Sequence, residues 1–166
     1  MQIKIKVIIL FILLGATTCK NVSYTLSGST ASGTIQVVNF NNIAGNGPPN
    51  LAQKLTEDLK SYYLQNSRLR ITNTEADYIV EGDVVGYQVT PLAPTAQDQA
   101  AQTRITVTVK VRFTDNKEVS NNFEQTFSNY ADFPQTTSLA AAETQKVQEI
   151  FDKIIFDIFQ KTVANW

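Results

Sequence analysis

The chain has no histidine and a single cysteine, Cys19. Without imidazole there is no Ser-His-Asp triad, no Cys-His dyad and no histidine-rich zinc site. One cysteine forms no disulfide within the chain. Charge is scarce too: Asp, Glu, Lys and Arg make up 17% of 166 residues, against about a quarter in an average domain. The two signs nearly cancel, at a formal net charge of −1, which excludes the basic footprint of a nucleic-acid binder. Uncharged hydrogen-bonding groups take their place: 19 Thr, 13 Asn, 13 Gln and 9 Ser. Hydrophobic residues at 43% still suffice for a core, and the length suits one domain.

Long apolar runs are also missing. The longest, residues 7–14, reads Val-Ile-Ile-Leu-Phe-Ile-Leu-Leu. As a helix it reaches only about 12 Å, short of the roughly 30 Å of bilayer hydrocarbon. Lys4 and Lys6 precede it, and Gly15, Ala16, Thr17 and Thr18 follow. A charged start, an apolar middle and small residues before a cut define a secretory signal peptide. Cys19 stands where a bacterial lipoprotein signal peptidase cleaves, and the segment 14–19 resembles a lipobox, with Thr18 departing from the usual Gly, Ala or Ser. The expected organisation is a lipoprotein signal peptide at 1–18, a lipidated tether at 19–33 and a single domain at 34–166. Residue 20 is Lys and no acidic run follows, which by analogy with sorting rules favours the outer membrane, periplasmic side.

Within the domain, residues 34–40 are β-branched and strand-like. After the Gly/Pro/Asn stretch 41–49, Asn50 and Gln53 suggest a capping box. Leu51, Leu55, Leu59, Tyr62 and Tyr63 share one helical face, predicting a helix to about residue 65. A short strand is expected at 69–72, and another in the tether near 24–26. Three longer strands follow at 78–89, 104–113 and 119–130. The middle one alternates most cleanly, with Ile105, Val107, Val109, Val111 and Phe113 on one face and Arg104, Thr106, Thr108, Lys110 and Arg112 on the other. Symmetric pairing about the 90–102 loop sets Asp83 opposite Lys110 and Glu81 opposite Arg112, so the charges agree with the register. Val147, Ile150, Phe151, Ile154, Ile155, Ile158 and Phe159 predict a last helix over 139–164. The expected fold class is α+β: a two-layer sandwich with two helices packed on one face of a mixed four- to five-stranded sheet.

Catalytic constellations are not found. The carboxylate pairs Glu57/Asp58 and Glu81/Asp83 read as solvated surface or cross-strand partners. The segment 45–49 has too few glycines to cradle a phosphate. No calcium-loop spacing occurs, and the serines have no base partner. The expectation is a binding protein, not an enzyme, with no cofactor. Arg104, Lys110 and Arg112 form a candidate anion-binding stripe; two of the three have acids opposite, which offers sheet-surface pairing as the plainer reading. The uncharged, Pro-stiffened 90–102 loop, with Pro91, Leu92 and Pro94, is long for a hairpin and is a candidate partner contact. So is Phe156, which falls off the apolar helix stripe.

Several segments in order carry a family resemblance. They are Cys19 with Tyr24, Leu26, Ser27 and Gly28; Val37-Val38-Asn39-Phe40; the 50–65 helix; Glu81-Gly82 followed by Gly86-Tyr87; the 104–113 strand; Phe127-Ser128-Asn129-Tyr130; and Ile155-Phe156-Asp157-Ile158-Phe159 with the closing Ala164-Asn165-Trp166. Together they resemble the lipopolysaccharide-assembly lipoprotein family LptE, in its Bacteroidetes form, over essentially the whole mature chain. The resemblance implies an outer-membrane lipoprotein that plugs the β-barrel LptD, aids its assembly and takes part in placing lipopolysaccharide on the cell surface. It also implies lipid binding through basic residues on the sheet, for which Arg104, Lys110 and Arg112 are the candidates. The partners implied are LptD, lipopolysaccharide, and the outer membrane through acylated Cys19. A competing reading is a periplasm-facing lipoprotein that binds or activates a cell-wall synthesis enzyme.

Overall fold

The computed structural model describes residues 31–93 and 101–164. Cys19, the strand expected near 24–26, Pro94 and Trp166 lie outside them. The described chain runs β1 (Ser32–Val37), β2 (Asn41–Asn42), α1 (Leu51–Asn66), β3 (Arg68–Ile71), β4 (Tyr78–Leu92), β5 (Gln102–Asp115), β6 (Phe123–Pro134) and α2 (Leu139–Phe159). The main path of the sheet is β3-β1-β4-β5-β6, and the two-residue β2 pairs with β4. Strand β1 is parallel to β3 and to β4, whereas β4, β5 and β6 form an antiparallel meander. This is the expected α+β sandwich with a mixed sheet, with β2 as an extra short rung.

Alternation builds the core. Ile105, Val107, Val109, Val111 and Phe113 of β5 are buried, as are Ile35 and Val37 of β1 and Phe127, Ala131 and Phe133 of β6. Leu51, Leu55, Leu59 and Tyr63 of α1 join the same core, with Ile150, Phe151, Ile154, Ile155, Ile158 and Phe159 of α2. Both helices therefore cover one face of the sheet, and among the described residues the other face carries no helix.

Four local expectations are corrected. The strand expected over 34–40 ends at Val37, and its direction resumes as β2; Phe40 between them is buried, with its amide donating to Thr56 Oγ1 at 3.0 Å. Asn50 makes no side-chain cap, because its backbone (φ −97°, ψ 13°) lies outside the extended region a capping residue needs. Gln53 instead donates to Glu57. Strand β6 begins four residues later than expected, since 119–121 form a short 3-10 turn. The last helix gives way at Gln160 to a wider π-type turn. There the Thr162 hydroxyl donates to the Ile158 carbonyl (2.9 Å) and accepts from the buried Tyr63 hydroxyl (2.7 Å), tying the chain end to α1.

A β-bulge in β4 shapes the rest. Val84 is level with Val109, but Gly86, not Val85, is level with Thr108. The extra residue reverses the alternation. Before it Val80 and Val84 point inward; after it Tyr87 does, and its hydroxyl donates to Glu143 of α2 at 2.6 Å.

Candidate functional site: the helix-free face and hairpin tip

Because the odd-numbered residues of β5 are buried, its even-numbered ones face away from the helices. On β6 the even-numbered residues do the same. The register then sets Arg104 beside Asp132, Thr106 beside Tyr130, Thr108 beside Ser128, Lys110 beside Thr126 and Arg112 beside Glu124. On the other side Arg112 faces Glu81 and Lys110 faces Asp83, as the symmetric pairing requires.

All three candidate cations are ion-paired. Arg104 grips Asp132 with two hydrogen bonds, of 2.7 and 2.8 Å, and its guanidinium stacks 3.7 Å from the centre of the Tyr130 ring. Lys110 meets Glu124 at 2.7 Å, and Arg112 bridges Glu124 and Glu81 at 3.1 Å each. Asp83 accepts instead from Asn41 at 3.1 Å. The hydrogen bond from Arg104 holds the Asp132 carboxyl below its ordinary range. Bonds from Lys110 and Arg112 do the same for Glu124. Beneath the pairs lies a polar cleft of about 220 Å³, reached by Asn39, Asn41, Glu81 and Lys110. Between the ionic rungs the face presents hydroxyls, with Thr108 and Ser128 bonded to each other at 3.0 Å. The sequence reading missed Glu124, Asp132 and Tyr130 as partners of the stripe. Symmetric pairing about the 115–122 turn brings out the first two.

Asp77 and Asp115 extend the set of lowered carboxylates. Asp77 accepts from the Thr34 amide and hydroxyl. Asp115 is buried, which opposes its charge, but Asn121 and the amides of Glu118 and Lys117 outweigh that. Groups with folded pKa values below their unfolded ones contribute stability above the unfolded value and lose it below. The ordinary values are 3.8 for Asp and 4.5 for Glu. Stability is therefore expected to be level above about pH 5 and to fall steadily as acid carries these groups through their lowered folded values. Urea midpoints measured across that range check this; a midpoint unchanged down to pH 3 contradicts it.

The hairpin tip differs from its expectation. Strands β4 and β5 continue to Leu92 and Gln102, so the connection is 93–101 and not 90–102. Pro91 and Leu92 are strand residues opposite Thr103 and Gln102. Pro91 fits there because β4 pairs with β1 and β2 only at residues 78–80 and 83–84, leaving one edge open at Pro91. Pro91 is exposed and Leu92 half-buried. Phe156 is 48% exposed on the helix layer, in an open groove of about 440 Å³ with Tyr62, Asn129 and Lys153. The candidates thus occupy separate regions: the cation stripe on the sheet, Pro91 and Leu92 at the tip, and Phe156 on the opposite layer.

No group of Asp, Glu, Cys or His among the described residues is arranged to hold a metal ion. No described helix is long and apolar enough to cross a membrane.

A two-helix layer on a mixed sheet defines a class of small α+β domains seen in solved structures. An uncharacterized lipoprotein B from Nitrosomonas europaea superposes with a TM-score of 0.57 at 13% identity, covering 81% of this chain and 84% of that one. A minor lipoprotein from Acinetobacter baumannii gives 0.55 at 14%, covering 80% and 93%. A hypothetical protein from Chlamydia trachomatis gives 0.57 at 11%, covering 81% and 100%. At such identities the likeness is one of fold. Comparison with curated protein sequences gives no match. Residues 32–162 match LptE, the lipopolysaccharide-assembly family, and the chain belongs to that family.

Proposed function

We propose that this protein is an outer-membrane lipoprotein, acylated at Cys19 and facing the periplasm. It plugs and assists assembly of the LptD β-barrel and takes part, without catalysis of its own, in moving lipopolysaccharide to the cell surface. Family membership supports the pathway. The observation that carries the plug reading is the helix-free face. Over β4, β5 and β6 its cations are neutralised by Glu81, Glu124 and Asp132, and hydroxyls lie between those pairs. Such a surface hydrogen-bonds in a polar barrel lumen without taking an unpaired charge out of water. Pro91, Leu92 and Phe156 are the proposed contacts with the barrel. Purification in mild detergent is expected to recover a large β-barrel protein with this one. Recovery of the protein alone overturns the plug reading, and crosslinking to a peptidoglycan synthase favours the cell-wall alternative.

Arg104, Lys110 and Arg112 are the proposed lipopolysaccharide contacts. Their carboxylate partners make this an exchange of anions, with lipid phosphates competing for guanidinium and ammonium groups already engaged. Changing all three to Ser is expected to weaken binding roughly tenfold at low salt, with the difference shrinking as salt rises. Equal binding by parent and variant leaves the three as sheet-surface charges.

A further inference from the structure

Arg68 and Arg70 stand apart from the cations of β5. Both are exposed on β3, and buried Leu69 between them turns both toward the helix-free face, about 7 Å apart. Neither has a carboxylate within salt-bridge distance among the described residues, whereas Arg104, Lys110, Arg112 and Lys117 all do. Their register partners on β1 are Ser32 and Thr34, which are uncharged. Asp77, bonded to Thr34, the register partner of Arg70, is itself ion-paired with Lys117 at 3.2 Å.

Their position gives these two charges a meaning. Ser32, level with Arg68, is where the chain arriving from Cys19 enters the sheet. The sequence contains no Asp or Glu before Glu57, so everything from the anchor through β1 and β2 is free of acid, while Lys20 adds a positive charge beside Cys19. The segment from Cys19 to Ser32 spans at most about 45 Å when extended, so a bilayer anchor keeps Arg68 and Arg70 within reach of the headgroups. From the level of Ile35, β4 runs away from this end for its whole length to Leu92, about 45 Å.

We propose that Arg68 and Arg70 seat this end of the sheet on anionic phospholipid headgroups of the leaflet that holds the acyl chains, leaving the β4–β5 hairpin directed away from that surface. The seat rests on the acyl-anchor reading above. It is independent of lipopolysaccharide binding by the β5 stripe.

The test uses the acylated full chain in vesicles. Gln65→Cys, exposed at the end of α1, carries a fluorophore, and the bilayer carries a quencher lipid; acylated Cys19 offers no competing thiol. In phosphatidylethanolamine/phosphatidylglycerol vesicles at low salt, strong quenching is expected. Each arginine near such a surface contributes about a fivefold gain, so R68Q/R70Q is expected to lower the seating equilibrium constant about twenty-fivefold. Quenching then falls to the level seen with phosphatidylcholine in place of phosphatidylglycerol. K60Q, the loss of a single positive charge on α1, is expected to leave the seating constant unchanged, whereas R68Q or R70Q alone lowers it about fivefold. Flotation with equal quenching in all variants, or quenching only when lipopolysaccharide is present, overturns the seat alone. Failure to float with any vesicle overturns the anchor reading and the seat together.

Discussion

Replacing Cys19 by Ala is expected to move the protein from the membrane fraction to the soluble fraction almost completely. The magnitude comes from the chemistry of the anchor. Each buried methylene contributes about 0.8 kcal/mol, and one acyl chain alone binds reversibly, while two or more make dissociation negligible. Cys19 is the only cysteine and directly follows the small residues after the apolar run, so no second thiol substitutes for it. Removing it therefore changes partitioning by orders of magnitude, not by a factor. The experiment is a fractionation in cells depleted of the barrel partner, with mass analysis of the amino-terminal peptide. Firm anchoring of the Ala variant under depletion contradicts the lipobox reading. Firm anchoring only when the partner is present means that the partner, and not lipid, holds the protein.

How much of this was legible in the sequence depends on the element. Clean alternation on β5 revealed both faces, and charge agreement at Glu81/Arg112 and Asp83/Lys110 fixed its register with the early part of β4. The bulge at Val85 was not legible, because an extra residue leaves no mark in composition while it reverses everything after it. Unbroken alternation from Glu81 and Asp83 would turn Tyr87 outward, whereas it is buried against α2. The stripe was found, but its neutralisation was only half seen. Glu81 was identified, whereas Glu124 and Asp132 depended on a β6 start that the 3-10 turn displaced. Arg68 and Arg70 were overlooked because a four-residue strand is too short to display its period. Their significance comes from the parallel β1–β3 pairing, which joins residues distant in sequence.

Gly82→Ala is expected to cost more than about 3 kcal/mol, a large share of the roughly 5–15 kcal/mol that holds a domain together. Gly82 lies on β4 opposite Val111, and its backbone needs no positive φ, so conformational freedom is not the issue. The constraint is space. A Cβ there would overlap the Lys110 carbonyl oxygen and come within 2.8 Å of the Phe40 ring. The oxygen belongs to the backbone of a central strand and cannot rotate away. Phe40 is itself buried, its amide bonded to Thr56 of α1, so moving the ring disturbs the helix layer as well. Gly45→Ala provides the contrast: its φ is +76° and nothing lies within 4 Å, so only backbone strain of about 1 kcal/mol is expected. Urea titration of both variants separates the two mechanisms. A Gly82→Ala loss no larger than that of Gly45→Ala would mean that β4 and β5 move apart at this rung. The Glu81–Arg112 and Lys110–Glu124 pairs on either side would then have to shift with them, so the same substitution tests whether the charge-balanced face is rigidly held by the core beneath it.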